Sequence, residues 1–295
     1  MMPSLFQGSA VALVTPFANG QVDTAAIERL VEMQIAGGTK AIVACGTTGE
    51  PTTMTADERE LTVRTIVKAA RGRVPVIAGT GSNCTQNVID TARRYEDIGC
   101  AAQLVVTPYY NKTTQEGLYR HYMAIADNTA LPIIIYNVPT RTALDISPEV
   151  LDRLACCEKF IAVKESSYNI PYVMDKIRHV GGRLAIYSGN DDTVIPLMAL
   201  GAEGVISVVA NVLPEMVARM ATSYLAGEHA EALDLQLKLM PVICALFAEV
   251  SPIPCKAAME MLGLCGGELR LPLVPIGDGN REKLRDALIS VGLNL

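Results

Sequence analysis

No block of like charge, no membrane-length apolar run, no C-x-x-C pair and no histidine cluster occurs in this chain of 295 residues, and each absence removes a class of function. The 25 basic and 31 acidic residues are mixed along the sequence, for a net charge of −6, with no basic stripe that would neutralise a phosphate backbone. Nucleic acid is therefore not an expected partner. The segment from Met1 to Gly8 lacks a basic n-region, and Pro16 and Asn19 break the first apolar stretch, so we expect neither a leader nor a membrane span and place the chain in the cytoplasm. His121, His179 and His229 lie far apart and outside any H-E-x-x-H pattern, so no metal site is expected. The eight cysteines, Cys45, Cys84, Cys100, Cys156, Cys157, Cys244, Cys255 and Cys265, lack the density of a disulfide scaffold, and we expect them reduced and mostly buried. No glycine-rich dinucleotide fingerprint follows the first apolar run, and no low-complexity segment or long linker is present.

What the chain does contain is 50% hydrophobic residues and a regular beat. Short apolar runs recur at roughly 25–30 residues, the length of a strand, a helix and two loops. They are Ala10–Val14, Ala41–Ala44, Val74–Ala78, Leu104–Val106, Ile133–Tyr136, Ile161–Lys164, Leu184–Tyr187 and Val205–Val209. Near-continuous apolar strands belong to parallel sheets covered on both faces, and eight of them alternating with helices predict an α/β fold, a closed (β/α)8 TIM barrel. Helical periodicity joins Ile27, Leu30, Val31 and Ile35 before Gly37-Gly38, and Val63, Ile66, Val67 and Ala70 before Gly72. Thr55-Ala56-Asp57-Glu58 has the form of a capping box, and Ser147-Pro148 sets an N-cap before a first-turn proline. Strand signals stop after about residue 225. A helix over Glu228–Phe247 interrupted by Pro241, a shorter one over Pro254–Leu262 and a last one capped by Asn280 predict a C-terminal helical appendage over 226–295, beside a barrel over 1–225.

Catalytic groups of such barrels come from the carboxyl ends of the strands, and those positions are chemically suggestive here. Phe160-Ile161-Ala162-Val163 runs straight into Lys164. Alone, that lysine could mark a strand's exit into solvent, but an amine held in a poorly hydrated pocket has its charged form disfavoured and can attack a carbonyl to form a Schiff base. Its company supports the second reading. Cys45-Gly46-Thr47-Thr48-Gly49-Glu50 offers amides and hydroxyls able to cradle a small carboxylate, unless it is an ordinary glycine turn. Thr107-Pro108-Tyr109-Tyr110-Asn111 brings two phenols, which are packing residues on the plainer reading. Tyr136-Asn137-Val138-Pro139-Thr140-Arg141 adds another phenol and a planar guanidinium suited to a carboxylate. The seventh and eighth strands deliver Ser188-Gly189-Asn190 and Ser207, with Asp191 and Asp192 read as an N-cap for the next helix. Together these suit carbonyl chemistry on an anionic substrate.

The four motifs Gly46–Glu50, Thr107–Asn111, Tyr136–Thr142 and Val163-Lys164-Glu165, in this order and spacing, resemble the dihydrodipicolinate synthase family over essentially the whole chain, within a superfamily of pyruvate-dependent class I aldolases. The resemblance implies a lyase of lysine and diaminopimelate biosynthesis in which Lys164 condenses with pyruvate and the enamine attacks aspartate semialdehyde. It implies proton transfer by Tyr136, linked through Thr47 to Tyr110, the last reaching a neighbouring subunit's site in a homodimer or, more commonly, a homotetramer. It further implies that Thr47 and Thr48 hold the pyruvate carboxylate, that Arg141 holds that of the aldehyde, and that main chain near Gly189 and Ile206 lines the pocket, with neither metal nor cofactor. Asn83 and Tyr109 match residues of the lysine-inhibitor site of sensitive members. Asn87 replaces their glutamate, however, and Ala56 and Arg59 replace their histidines, so weak or absent inhibition by L-lysine is expected unless Glu50 supplies the missing carboxylate. Two other readings are a related aldolase using a sugar-like aldehyde and a non-catalytic binding protein on the same barrel. Lys256, at the start of a helix outside the barrel, is expected to be structural.

Overall fold

The computed structural model describes residues 4–295. Eight parallel strands close into a barrel in sequential order: β1 (Gly8–Ala12), β2 (Ala41–Ala44), β3 (Val76–Gly79), β4 (Ala102–Val106), β5 (Ile133–Asn137), β6 (Phe160–Glu165), β7 (Ala185–Ser188) and β8 (Gly204–Ser207), with β8 returning to β1. All eight sequence-predicted strands are present. Four, β1, β3, β4 and β8, are displaced by two residues at one end or both; β8, for example, ends at Ser207 because the 3-10 turn Val209–Asn211 follows it.

Strand alternation sorts the residues. Ala10, Ala12, Val43, Ile77, Leu104, Ile134, Tyr136, Ala162, Tyr187 and Ile206 fill the barrel, whereas Val11, Ile42, Val105, Ile135, Val163 and Val205 face the surrounding helices. Both faces of each strand are thus buried, which is why the runs read as continuously apolar. Phe6 lies in the amino-terminal face of the barrel, stacked on Tyr187 at 4.1 Å and accepting its hydroxyl proton through the backbone carbonyl at 2.8 Å.

The outer layer comprises α1 (Thr24–Ala36), α2 (Ala56–Ala70), α3 (Thr85–Glu96), α4 (Gln115–Asn128), α5 (Pro148–Leu154), α6 (Ile170–Val180), α7 (Val194–Ala199) and α8 (Pro214–Leu225). Gly37 closes α1, Thr55 and Glu58 form the expected reciprocal capping box on α2, and Ser147 caps α5 with Pro148 in its first turn. Beyond them lie α9 (His229–Leu246), α10 (Ile253–Met261) and α11 (Asp278–Ser290).

Three expectations are corrected here. Pro241 does not interrupt α9, which runs through it; the single backbone bond lost belongs to the carbonyl of Leu237, a residue on the exposed side of the helix. Asn280 is not the cap of α11. Gly277 holds that position, and the Asn280 side chain donates to Glu249 Oε1 at 2.8 Å. Nor are the cysteines mostly buried: Cys45, Cys100 and Cys255 are, while Cys84, Cys156 and Cys244 are exposed, and all eight are free thiols.

Candidate active site

Lys164 and Tyr136 occupy paired positions on adjacent strands. Ala162 and Ile134, two residues earlier on each strand, point into the barrel, so the Lys164 and Tyr136 side chains do as well. The Lys164 ammonium lies 4.4 Å from the centre of the Tyr136 ring. Lys164 is 5% exposed, and among the described residues no carboxylate comes within 4 Å of its nitrogen. Gly189, after β7, packs on the lysine stem: a β-carbon there would stand 3.0 Å from Lys164 Cε and 1.9 Å from Ser166 Oγ, so any larger residue would displace the amine.

Tyr136 opens onto a cavity of about 290 Å³, lined among others by Thr47, Arg59, Tyr109 and Arg141, whereas Lys164 and Gly189 are not among the residues lining it. Thr47 and Thr48 sit in the 3-10 turn Thr47–Gly49, whose end is fixed by the Thr15 hydroxyl donating to the Gly49 carbonyl at 2.7 Å. Arg141 stands in the helical turn Pro139–Thr142 and donates only a long bond, 3.4 Å, to the Ser251 carbonyl; among the described residues it has no carboxylate partner. Ile206 faces the barrel interior from β8. Cys45 also lines the cavity, but burial pushes its thiol up to about 12, so it is no rival nucleophile.

Tyr110 stands apart. It is 92% exposed and in a left-handed conformation (φ 69°), so a single chain does not bring its phenol to Tyr136 and Thr47. Of the inhibitor-site candidates, Arg59 and Tyr109 line the cavity, whereas Ala56, Asn83 and Asn87 do not. The Arg59 Nε is buried and unbonded. Glu50 cannot serve that site, because its carboxylate is buried against Lys256 at 2.5 Å.

Two groups near Lys164 escaped the sequence reading. Asp191 was expected to cap the next helix; instead its carboxylate accepts from Ser207 Oγ at 2.5 Å and from the Val208 and Val209 amides at 2.9 and 3.3 Å, and Thr193 stands before α7. Burial raises the Asp191 carboxyl above its ordinary range, against the lowering effect of those donors and of the Lys164 charge. The second is a network outside the barrel. Lys176 of α6 donates to Asp145 at 2.5 Å and Glu165 at 3.0 Å, while Asn137 donates to both carboxylates, so the strand ends carrying Tyr136 and Lys164 are cross-tied from behind. The sequence reading held Asn137 and Glu165 only as motif residues; their partners on other elements come from the fold.

Among the described residues no cluster of His, Cys, Asp and Glu is placed to hold a metal ion, and no helix is long and apolar enough to cross a membrane. A closed parallel barrel presenting one unpaired buried lysine beside a phenol, with an arginine at the cavity wall, defines an enzyme of the lysine-nucleophile, aldolase class. The chain matches the dihydrodipicolinate synthetase family over residues 5–290 and belongs to it. It is 46% identical over 284 residues to the 4-hydroxy-tetrahydrodipicolinate synthase of Alkaliphilus oremlandii, covering 96% of this chain and 98% of that one. The dihydrodipicolinate synthase structure from Aquifex aeolicus superposes with a TM-score of 0.96 at 43% identity, covering 98% and 99% of the two chains. The chloride-inhibited enzyme of Acinetobacter baumannii, solved with pyruvate, gives 0.95 at 43% identity, covering 97% and 99%.

Proposed function

We propose that this chain is a 4-hydroxy-tetrahydrodipicolinate synthase of lysine biosynthesis, a class I aldolase-type lyase in which Lys164 is the nucleophile. The observation that carries the assignment of roles is the register pairing of Lys164 with Tyr136, both inward, with Tyr136 lining a cavity walled by Thr47 and Arg141. The Lys164 amine adds to C2 of pyruvate and expels water, leaving an iminium. Loss of a C3 proton gives the enamine, whose C3 attacks the aldehyde carbon of aspartate semialdehyde. That substrate's own amine then displaces Lys164 and closes the ring. Tyr136 carries the protons, the Thr47–Thr48 turn holds the pyruvate carboxylate, and Arg141 holds the carboxylate of the aldehyde. Gly189 and Ile206 bound the pocket. The protonated imine is itself the electron sink, so the scheme calls for no metal or cofactor.

Tyr110 enters this scheme from a second copy. Its exposure and left-handed backbone support a role across an interface, linked through Thr47 to Tyr136. Exposed Leu233 and Leu237, one turn apart on α9, are apolar surface for a further contact, and we propose a homotetramer built as a dimer of dimers. The eight free thiols suit a cytoplasmic enzyme. With Arg59 unpaired in the cavity and Asn87 in place of an acid, L-lysine meets a cation where it needs an anion. Lysine at about 1 mM should leave the rate unchanged, whereas inhibition at submillimolar concentration would refute this reading.

A coupled assay with pyruvate and either aspartate semialdehyde or sugar-derived aldehydes tests the substrate. Turnover should be confined to the semialdehyde. Arg141→Ala should raise its KM about 10-fold or more while pyruvate imine formation persists. Turnover of sugar aldehydes, or a parallel loss of both steps, would contradict the assignment.

A further inference from the structure

The Gly46–Glu50 turn and the residues that follow it meet the C-terminal region, Lys256 of α10 and Arg270 of the segment before α11, from the far end of the sequence. Glu50 ends the Thr47–Gly49 turn in a left-handed backbone (φ 54°), a conformation that a non-glycine residue keeps only when its surroundings enforce it. Glu50 is 3% exposed, and among the described residues its one cationic partner is Lys256 of α10 at 2.5 Å. Neither carboxylate oxygen has a donor in hydrogen-bond geometry, so the contact is coulombic. Lys256 is fully buried, donates to the Glu268 carbonyl at 2.7 Å and lies 4.1 Å from the centre of the Phe17 ring. A second tie meets the same loop: Arg270 donates to the Thr53 carbonyl at 3.0 Å and, through both terminal nitrogens, to Glu58, while lying over the same Phe17 ring. Glu50, which ends the turn, and Thr53 and Glu58, which follow it, are therefore anchored to the C-terminal region.

We propose that Lys256 is a positioning residue for the reaction: through Glu50 it fixes the Thr47–Gly49 turn in the geometry that receives the pyruvate carboxylate. This rests on the reading that Thr47 and Thr48 hold that carboxylate. Lys256 touches no substrate; it acts on binding through the left-handed residue that ends the turn. A lysine serving stability alone would change the folded fraction, which lowers the apparent kcat and leaves KM where it was.

Steady-state kinetics of the full-length protein with varied pyruvate separate the two roles. Lys256→Met should raise KM for pyruvate about 10- to 100-fold, with the KM for aspartate semialdehyde within about twofold of wild type. Because Lys256→Met strands a buried carboxylate and is at risk of not folding, Glu50→Gln/Lys256→Met removes both charges and should regain stability yet keep the raised pyruvate KM. An unchanged pyruvate KM in either folded variant overturns the proposal. Thr48→Ala monitors the reading beneath it. If Thr48→Ala raises pyruvate KM and the Lys256 variants do not, only the positioning role fails; if Thr48→Ala does not, the carboxylate reading fails and takes the positioning role with it.

Discussion

The rim around Lys164 and the seam around Lys256 bury the same side chain under opposite conditions. At the seam, the ammonium faces Glu50, a backbone carbonyl and an aromatic ring; burial lowers the Lys256 amine and Glu50 opposes that shift. Lys176 repeats the arrangement, with Asp145 and Glu165 as partners. At the rim, Lys164 has a glycine against its stem and the face of the Tyr136 ring, which itself lines the cavity. A lysine whose charge is matched in place is committed to the fold. One that is not is available to a carbonyl.

Substitution with methionine should separate the two kinds. Lys164→Met should reduce turnover by about 10³-fold or more while leaving the denaturation midpoint unchanged or raised, since it removes an unpaired amine from a nearly buried position. Lys176→Met should cost about 3–5 kcal/mol in urea unfolding by stranding Glu165. A folded-state penalty for Lys164→Met as large as that for Lys176→Met would erase the distinction.

Tyr136→Phe sharpens the comparison at the rim. It keeps the ring face over Lys164 and removes only the phenolic oxygen, so turnover should fall about 10²–10⁴-fold. Unaltered turnover would leave the ring as mere packing.

The smallest effect concerns a buried group outside both regions. His121 bonds Thr85 Oγ1 through Nδ1 at 2.9 Å, its Nε2 is unbonded, and burial lowers its pKa to about 4. Above pH 6.5 the imidazole is neutral in the folded and unfolded chain alike. Between pH 6.5 and 4 only the unfolded chain takes up this proton, so up to about 3 kcal/mol of stability is lost across that window. His121→Gln should therefore show a shallower loss of stability on acidification than wild type. Parallel curves would show that His121 titrates normally.

How much of this was legible depended on sequence distance. The barrel followed from strand runs buried on both faces, and Lys164 at the end of such a run was expected to point into the molecule; that it shares the barrel-facing side with Ala162 is shown by the structure. Local signals such as the Thr55–Glu58 capping box were equally readable. Contacts between distant segments were not: Glu50 gave no sign of Lys256, and Asp191, beside a helix start, looked like its cap although its acceptors were claimed by Ser207 and the turn after β8. Asn280 misled in the same way, its side chain being taken by Glu249. Read from its residues alone, Tyr110 was a packing phenol; only the resemblance implied that it leaves its own chain, and the structure leaves it 92% exposed in a left-handed backbone.

Reductive trapping tests the central claim most directly. Incubating the enzyme with pyruvate and borohydride, then mapping peptides by mass, should place a single stable adduct on Lys164, with Lys176 and Lys256 unmodified. An adduct on either paired lysine, or pyruvate turnover with no adduct on Lys164, would contradict the account.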